Sequence, residues 1–101
     1  MTTNATAQRR PQPLYLDGAE LKRRREAAPG LSQTALAAVA STPRTRITQN
    51  HIAHWEAGHY GCGIEVIKAL ADALPECEPT DLMHTEGRDR YAKLREALAA
   101  A

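Results

Sequence analysis

A chain of 101 residues suits a single domain, and two cysteines are too few to staple a fold that lacked its own core. Aromatics make up 4% of residues and phenylalanine is absent, so a core must be built from Leu, Ile, Val and Ala around Trp55, a composition that favours close-packed helices over a sheet. The formal net charge is only +1, but residues 1–55 hold 8 Lys or Arg against 3 Asp or Glu (+5) and residues 56–101 hold 5 against 9 (−4). The first half is the candidate polyanion-facing surface, and the second half is expected to face away from it.

Residues 1–13 are polar, carry Arg9 and Arg10, and lack the apolar run of a secretory signal, so they read as a flexible basic arm. Charges interrupt every segment that could approach the roughly 20 apolar residues of a membrane span, and a cytoplasmic location is expected. Cys62 and Cys77 are widely spaced singletons, which in such a compartment predicts free thiols. Asp17-Gly18-Ala19-Glu20 is a capping-box variant opening a helix over Glu20 to Ala28, with Glu20 reaching back, and Pro29-Gly30 stops it. Ser32 caps a second helix, Gln33 to Ala40, whose inward stripe is Leu36 with Val39 or Ala40. Ser41 to Arg46 is a turn by its chemistry. Thr48 caps a third helix running to about Ala57, with Ile52, Trp55 and Glu56 on one face and Gly58 ending it. A fourth helix follows with Ile64, Ile67, Leu70, Ala71 and Leu74 inward and Pro75 closing it, then a short fifth helix at Thr80-Asp81-Leu82-Met83. From Thr85 the segment carries Tyr91, Leu94, Leu98 and Ala101 on one stripe, a tail helix that wants a partner. The expected organisation is all-α: an arm (1–13), a compact five-helix domain (14–84) and a C-terminal helix (85–101).

The polar side of the third helix decides what the chain can do. At about 100° per residue, Gln49, Asn50, Ala53, His54 and Ala57 fall opposite Ile52, Trp55 and Glu56. An exposed helix face that is rich in amides, uncharged and flanked by alanine differs from the Lys and Glu of a merely solvated one. Gln and Asn pair with adenine in the major groove of double-stranded DNA, and alanine permits close approach or contact with a thymine methyl.

In their order along the chain, Leu21 and Arg25, Leu31-Ser32-Gln33 with Leu36-Ala37, Ile52 with Trp55-Glu56-Ala57-Gly58, and Ile67, Leu70-Ala71 and Leu74 resemble the helix-turn-helix regulators of the lambda repressor and Cro-like family. The resemblance spans residues 17–83, with Asp81-Leu82 at the usual fifth helix. It implies that Gln33 opens the second helix and touches DNA backbone or bases, and that Thr48, Gln49, Asn50 and His54 face the groove, Gln49 and Asn50 foremost. It also implies that Arg25 pairs beneath the surface with Glu56. Cro-like domains usually bind two half-sites as a homodimer, and the function implied is a bacterial or phage transcriptional regulator, a repressor.

The connection between helices two and three is about five residues longer than the family pattern, and the insertion is placed at Thr42 to Arg46. A third helix beginning instead near Thr42 would shift the assigned readers. Lys22, Arg23, Arg24, Arg44 and Arg46 are the candidates for phosphate contact, and Arg9 and Arg10 for an adjacent minor groove. His51, His54, His59, Cys62, Cys77 and His84 lack the tight paired spacing of a metal site, so no metal and no other cofactor is expected. No nucleophile, base or carboxylate pair can be assembled on one pocket and no glycine-rich phosphate loop occurs, which argues against an enzyme. The tail stripe of Tyr91, Leu94 and Leu98 is a candidate dimer contact that could equally pack back on its own domain. A protein-binding module, such as an antitoxin whose tail helix engages a partner protein, is the alternative function.

Overall fold

The first three helices each begin where a side chain takes over an amide that the helix itself cannot satisfy. The computed structural model describes residues 15–59 and 61–100, and among these it contains five α-helices, one 3-10 turn and no strand. The expected arm with Arg9 and Arg10, and Ala101 of the tail stripe, lie outside the described residues. Helix α1 (Gly18–Ala27) starts where the Asp17 carboxylate accepts the Glu20 amide at 3.2 Å. The other half of the expected capping box is absent. The Glu20 carboxylate turns forward to Arg23 and Arg24, while the Asp17 amide donates to the Leu82 carbonyl at 2.7 Å. Two guanidinium groups at i+3 and i+4 offer charge-assisted bonds, and a backbone amide already satisfied by a carbonyl does not compete with them.

Helix α2 (Gln33–Ala40) begins on Ser32, whose hydroxyl accepts the Ala35 amide at 3.0 Å, and it buries Leu36, Ala37 and Ala40. Val39 is exposed. Of the two residues expected to complete the inward stripe, Ala40 does so, because Val39 stands about 100° round the helix from it. The residues that follow form an ordered turn. Thr42 and Thr45 exchange backbone hydrogen bonds of 2.9 and 3.1 Å. The Ser41 hydroxyl accepts the amide of buried Ile47 at 2.8 Å and lies within reach of the Ala37 and Ile47 carbonyls.

Helix α3 (Gln49–Glu56) starts from Thr48, so the start near Thr42 is not adopted. The Thr48 hydroxyl accepts the His51 amide at 3.2 Å and the His51 Nδ1 accepts the Thr48 amide at 3.0 Å, which closes a reciprocal cap with histidine in place of the usual acid or amide. Ile52 and Trp55 enter the core, and the His51 ring stacks on Trp55 at 5.5 Å between centroids. Helix α4 (Ile64–Ala73) buries Ile67, Leu70 and Ala71, with Leu74 just beyond it. The expected fifth helix is a 3-10 turn, Pro79–Leu82, too short for α-helical bonding, which carries Leu82 and the following Met83 into the core. Helix α3 packs on α2 and α1, while α4 closes against α2 and the 3-10 turn.

The two ends of the body meet. Leu16 pairs with Met83 as an isolated bridge, and the His84 amide donates to the Tyr15 carbonyl at 3.0 Å. Helix α5 (Thr85–Ala100) is seated on this junction: a side chain on Gly87 would come within 2.7 Å of the Tyr15 backbone. The first turn of α5 is thus built into the body, across the boundary expected between residues 84 and 85. Farther along, Leu94 and Leu98 are exposed, so in this chain the tail does not fold back over its own core.

Candidate nucleic-acid interface

The α3 surface is held in place from beneath. The Glu56 side chain is only 3% exposed and Arg25 11%, with Arg25 Nε 2.5 Å from Glu56 Oε2 and Nη2 3.1 Å from Oε1, a two-point fork between the end of α3 and the last turn of α1. Arg25 Nη1 also donates to the Leu31 carbonyl at 3.1 Å, so the same guanidinium ties down the turn before α2. Glu56 raises the Arg25 pKa above its ordinary value and keeps the group charged. Two turns before Arg25 on the same side of α1 is Gly18, whose missing side chain would stand 2.0 Å from the Trp55 carbonyl oxygen. No other residue lets the start of α1 lie this close to the end of α3.

A chain of side-chain bonds leads outward from the ion pair. Gln33 Nε2 donates to Glu56 Oε1 at 2.9 Å, and Gln49 Nε2 donates to Gln33 Oε1 at 2.6 Å. The direction is fixed by chemistry: an ionised carboxylate can only accept, so Gln33 must turn its NH2 to Glu56 and its carbonyl to Gln49. Gln49 must then give up one N–H and retains a second N–H together with its carbonyl. A glutamine carbonyl with an N–H beside it is the kind of donor–acceptor edge that pairs with adenine N7 and N6.

Gln49, Asn50, His54 and Ala57 are exposed and Ala53 is half-buried, so the amide face runs along one side of α3 with small residues beside it. Thr48 is exposed and serves as the cap of the helix. The Nδ1 atoms of His54 and His59 are 3.0 Å apart, with the rings inclined at 47°. One of the two rings carries its proton there and donates to the other. This pair has no signal in the sequence, since residues five apart share no helix face and meet only because the chain turns after α3.

The basic candidates divide into two groups. Arg44 and Arg46 are exposed on the turn between α2 and α3, and Lys22 is exposed on α1; among the described residues none of the three is in an ion pair. Arg23 and Arg24, the other two candidates for phosphate contact, are paired within the chain. Both are bonded to the Glu20 carboxylate, Arg24 through Nε at 2.8 Å. Arg24 is drawn further toward the 3-10 turn, with Asp81 at 3.8 Å and the Glu76 carbonyl at 3.5 Å. The spacing of Glu20, Arg23 and Arg24 carries this signal, but Glu20 equally fits the pattern of a capping box. Gln33, a candidate for contact with DNA backbone or bases, links Glu56 and Gln49 in the structure.

Among the described residues no cluster of three or more His, Cys, Asp or Glu is disposed to hold a metal ion, and no helix is long and apolar enough to cross a membrane. Cys62 and Cys77 are free thiols, and burial pushes Cys62 up to about 12.

No curated protein and no solved structure matches the chain. The family described as Helix-turn-helix domain matches residues 18–75, which run from the first residue of α1 to just past α4 and include the α2–α3 pair with its underlying ion pair. The chain belongs to the helix-turn-helix domain family, in keeping with its resemblance to the lambda repressor and Cro-like regulators.

Proposed function

We propose that this chain is a sequence-specific regulator of transcription that binds double-stranded DNA with α3 in the major groove and represses by occupying its site. The observation that carries the reading is the bond chain from Arg25 through Glu56 and Gln33 to Gln49. It holds one amide in a single orientation at the exposed start of a helix, which is the preorganisation that base reading requires. Asn50 stands beside it as a second reader, His54 one turn farther along, and Thr48 exposed at the cap, its hydroxyl 3.2 Å from His51 Nδ1. Lys22, Arg44 and Arg46 supply phosphate contacts, Arg23 and Arg24 adding only diffuse charge. Domains of this kind read two half-sites as a homodimer, so the preferred site is expected to be a palindrome with about one helical turn between its halves.

In vitro selection of bound duplexes tests both points. The expected result is an enriched, symmetric site whose preference relaxes in Gln49→Ala and Asn50→Ala while non-specific affinity persists. Uniform weakening across all sequences, with no loss of preference, would remove these residues from base reading.

A second reading is favoured by one observation. Leu94 and Leu98 stand exposed on α5, which supports a role for the tail in engaging a partner protein, as in an antitoxin. The two activities are compatible in one chain.

A further inference from the structure

The stripe that seats α5 on the body does not stop where the body stops. Gly87 is buried against Tyr15 and Tyr91 packs at the edge of the core, while farther along the same stripe Leu94 is 41% and Leu98 69% exposed. Positions 87, 91, 94 and 98 alternate steps of four and three, the spacing of a two-helix seam. The seam therefore continues, uncovered, for roughly two further turns.

Its flanks decide what can cover it. In this register the positions beside the seam hold Arg88, Arg90, Arg95 and Ala97, whereas Glu86, Asp89 and Glu96 lie toward the outer face. Arg88 donates to the Thr80 carbonyl at 3.1 Å and the Arg95 guanidinium lies 5.8 Å from the centre of the Tyr91 ring. Among the described residues neither Arg90 nor Arg95 is in an ion pair. Flanking charges set partner choice in such seams. A second copy of α5 brought alongside, in either direction, places arginine opposite arginine or alanine. Parallel pairing sets Arg90 against Arg95 of the other copy on both sides. Two exposed leucines cover far less than the roughly 1,000 Å² of a stable specific interface, so apolar burial does not override that repulsion.

We propose that the α5 seam docks a helix of a different protein, one whose own apolar seam is flanked by glutamate or aspartate. The proposal rests on the second reading above and gives that partner its chemistry; it is independent of DNA binding through α3.

The test uses the full chain and two synthetic helical peptides with identical leucine seams, one flanked by glutamate and the other by lysine. Fluorescence anisotropy is expected to show the glutamate peptide binding at least about tenfold tighter, the gap narrowing with added salt. Leu98→Glu is expected to abolish binding. Arg90→Glu combined with Arg95→Glu should reverse the preference, with the circular dichroism of the chain unchanged. Equal binding of the two peptides, or binding of neither, would overturn the proposal. So would a homodimer in sedimentation that Leu98→Glu dissolves, which would assign the seam to a second copy. A loss of duplex DNA affinity in the arginine double variant without any peptide preference would also overturn it, assigning the arginines to phosphate. Failure of the DNA reading alone would appear as no selected duplex with the peptide preference intact.

Discussion

The arginines of α1 and those of the α2–α3 turn are the same residue type in the same basic half of the chain, and they do different things because of what stands next to them. Arg25 is forked onto a nearly buried Glu56, while Arg23 and Arg24 share Glu20. Arg44 and Arg46 stand on a turn closed by Thr42 and Thr45, with no carboxylate of this chain within pairing distance among the described residues. A charge already neutralised within the fold releases few counterions when a phosphate arrives, whereas an unpaired one on an ordered turn keeps its full effect. Three tiers of arginine follow, one architectural, one half-neutralised and one available, and they should separate under mutation.

The largest effect is expected at Arg25. Arg25→Ala leaves the Glu56 carboxylate beneath the surface with only the Gln33 amide for company, and stranding a charge in this way costs about 3 to 5 kcal/mol, a large part of what holds a domain of this size together. Denaturant unfolding checks the number, and a cost under about 1 kcal/mol would place the pair in the class of exposed bridges. Arg25→Lys sharpens the point, because one ammonium cannot reproduce the fork and should fall between the two. Whatever fraction of Arg25→Ala remains folded should also discriminate sequences less well, since Gln33 and Gln49 hang from the same carboxylate.

How much of this is legible in the sequence follows from the range of each interaction. The caps at Asp17, Ser32 and Thr48 are local, so helix starts can be read directly, and the start of α3 at Gln49 determines which residues face outward. The inward residues Leu36, Ile52, Ile67 and Leu70 follow from periodicity. Glu20 defeats the sequence reading because two local rules compete for one side chain. The pairing of Tyr15 and Leu16 with His84 and Met83 is invisible there, since so short a stretch has no periodicity and its partners lie at the far end of the body. The Gln33–Glu56 bond is out of reach for a different reason: each residue has a sufficient role by itself, and only the folded geometry puts their atoms at 2.9 Å.

The intermediate tier is tested through acid. Hydrogen bonds from Arg23 and Arg24 lower the Glu20 pKa from 4.5 to about 2. A carboxylate held lower in the folded chain than in the unfolded one stabilises the fold above its unfolded pKa and loses that contribution as pH falls through its folded value. The Glu20 contribution should therefore be intact above about pH 5 and fade between about 4.5 and 2. Glu20→Gln is expected to lower stability near neutrality by no more than an exposed bridge is worth, about 0 to 1 kcal/mol, and to converge on the parent as pH drops across that window. Thermal unfolding of the two proteins at matched pH reads the difference directly. A gap that stays constant from about pH 6 to about pH 2, as ion-independent losses would give, removes the ion pair as its cause.

The smallest effect on stability and the clearest on binding belong to Arg44 and Arg46. Neither side chain holds another group of the fold, so Arg44→Ala combined with Arg46→Ala should shift unfolding by no more than about 0.5 kcal/mol. Non-specific duplex binding should nonetheless weaken, and the slope of log affinity against log salt should fall in magnitude by about 1.8, about 0.9 for each phosphate no longer neutralised. Arg24→Ala supplies the contrast, since a guanidinium shared between Glu20 and the 3-10 turn should change that slope by much less. If Arg24→Ala moved the slope as far as a loop arginine does, neutralisation within the fold would not be what sorts these residues, and the division between the two regions would have to rest on distance from the groove alone.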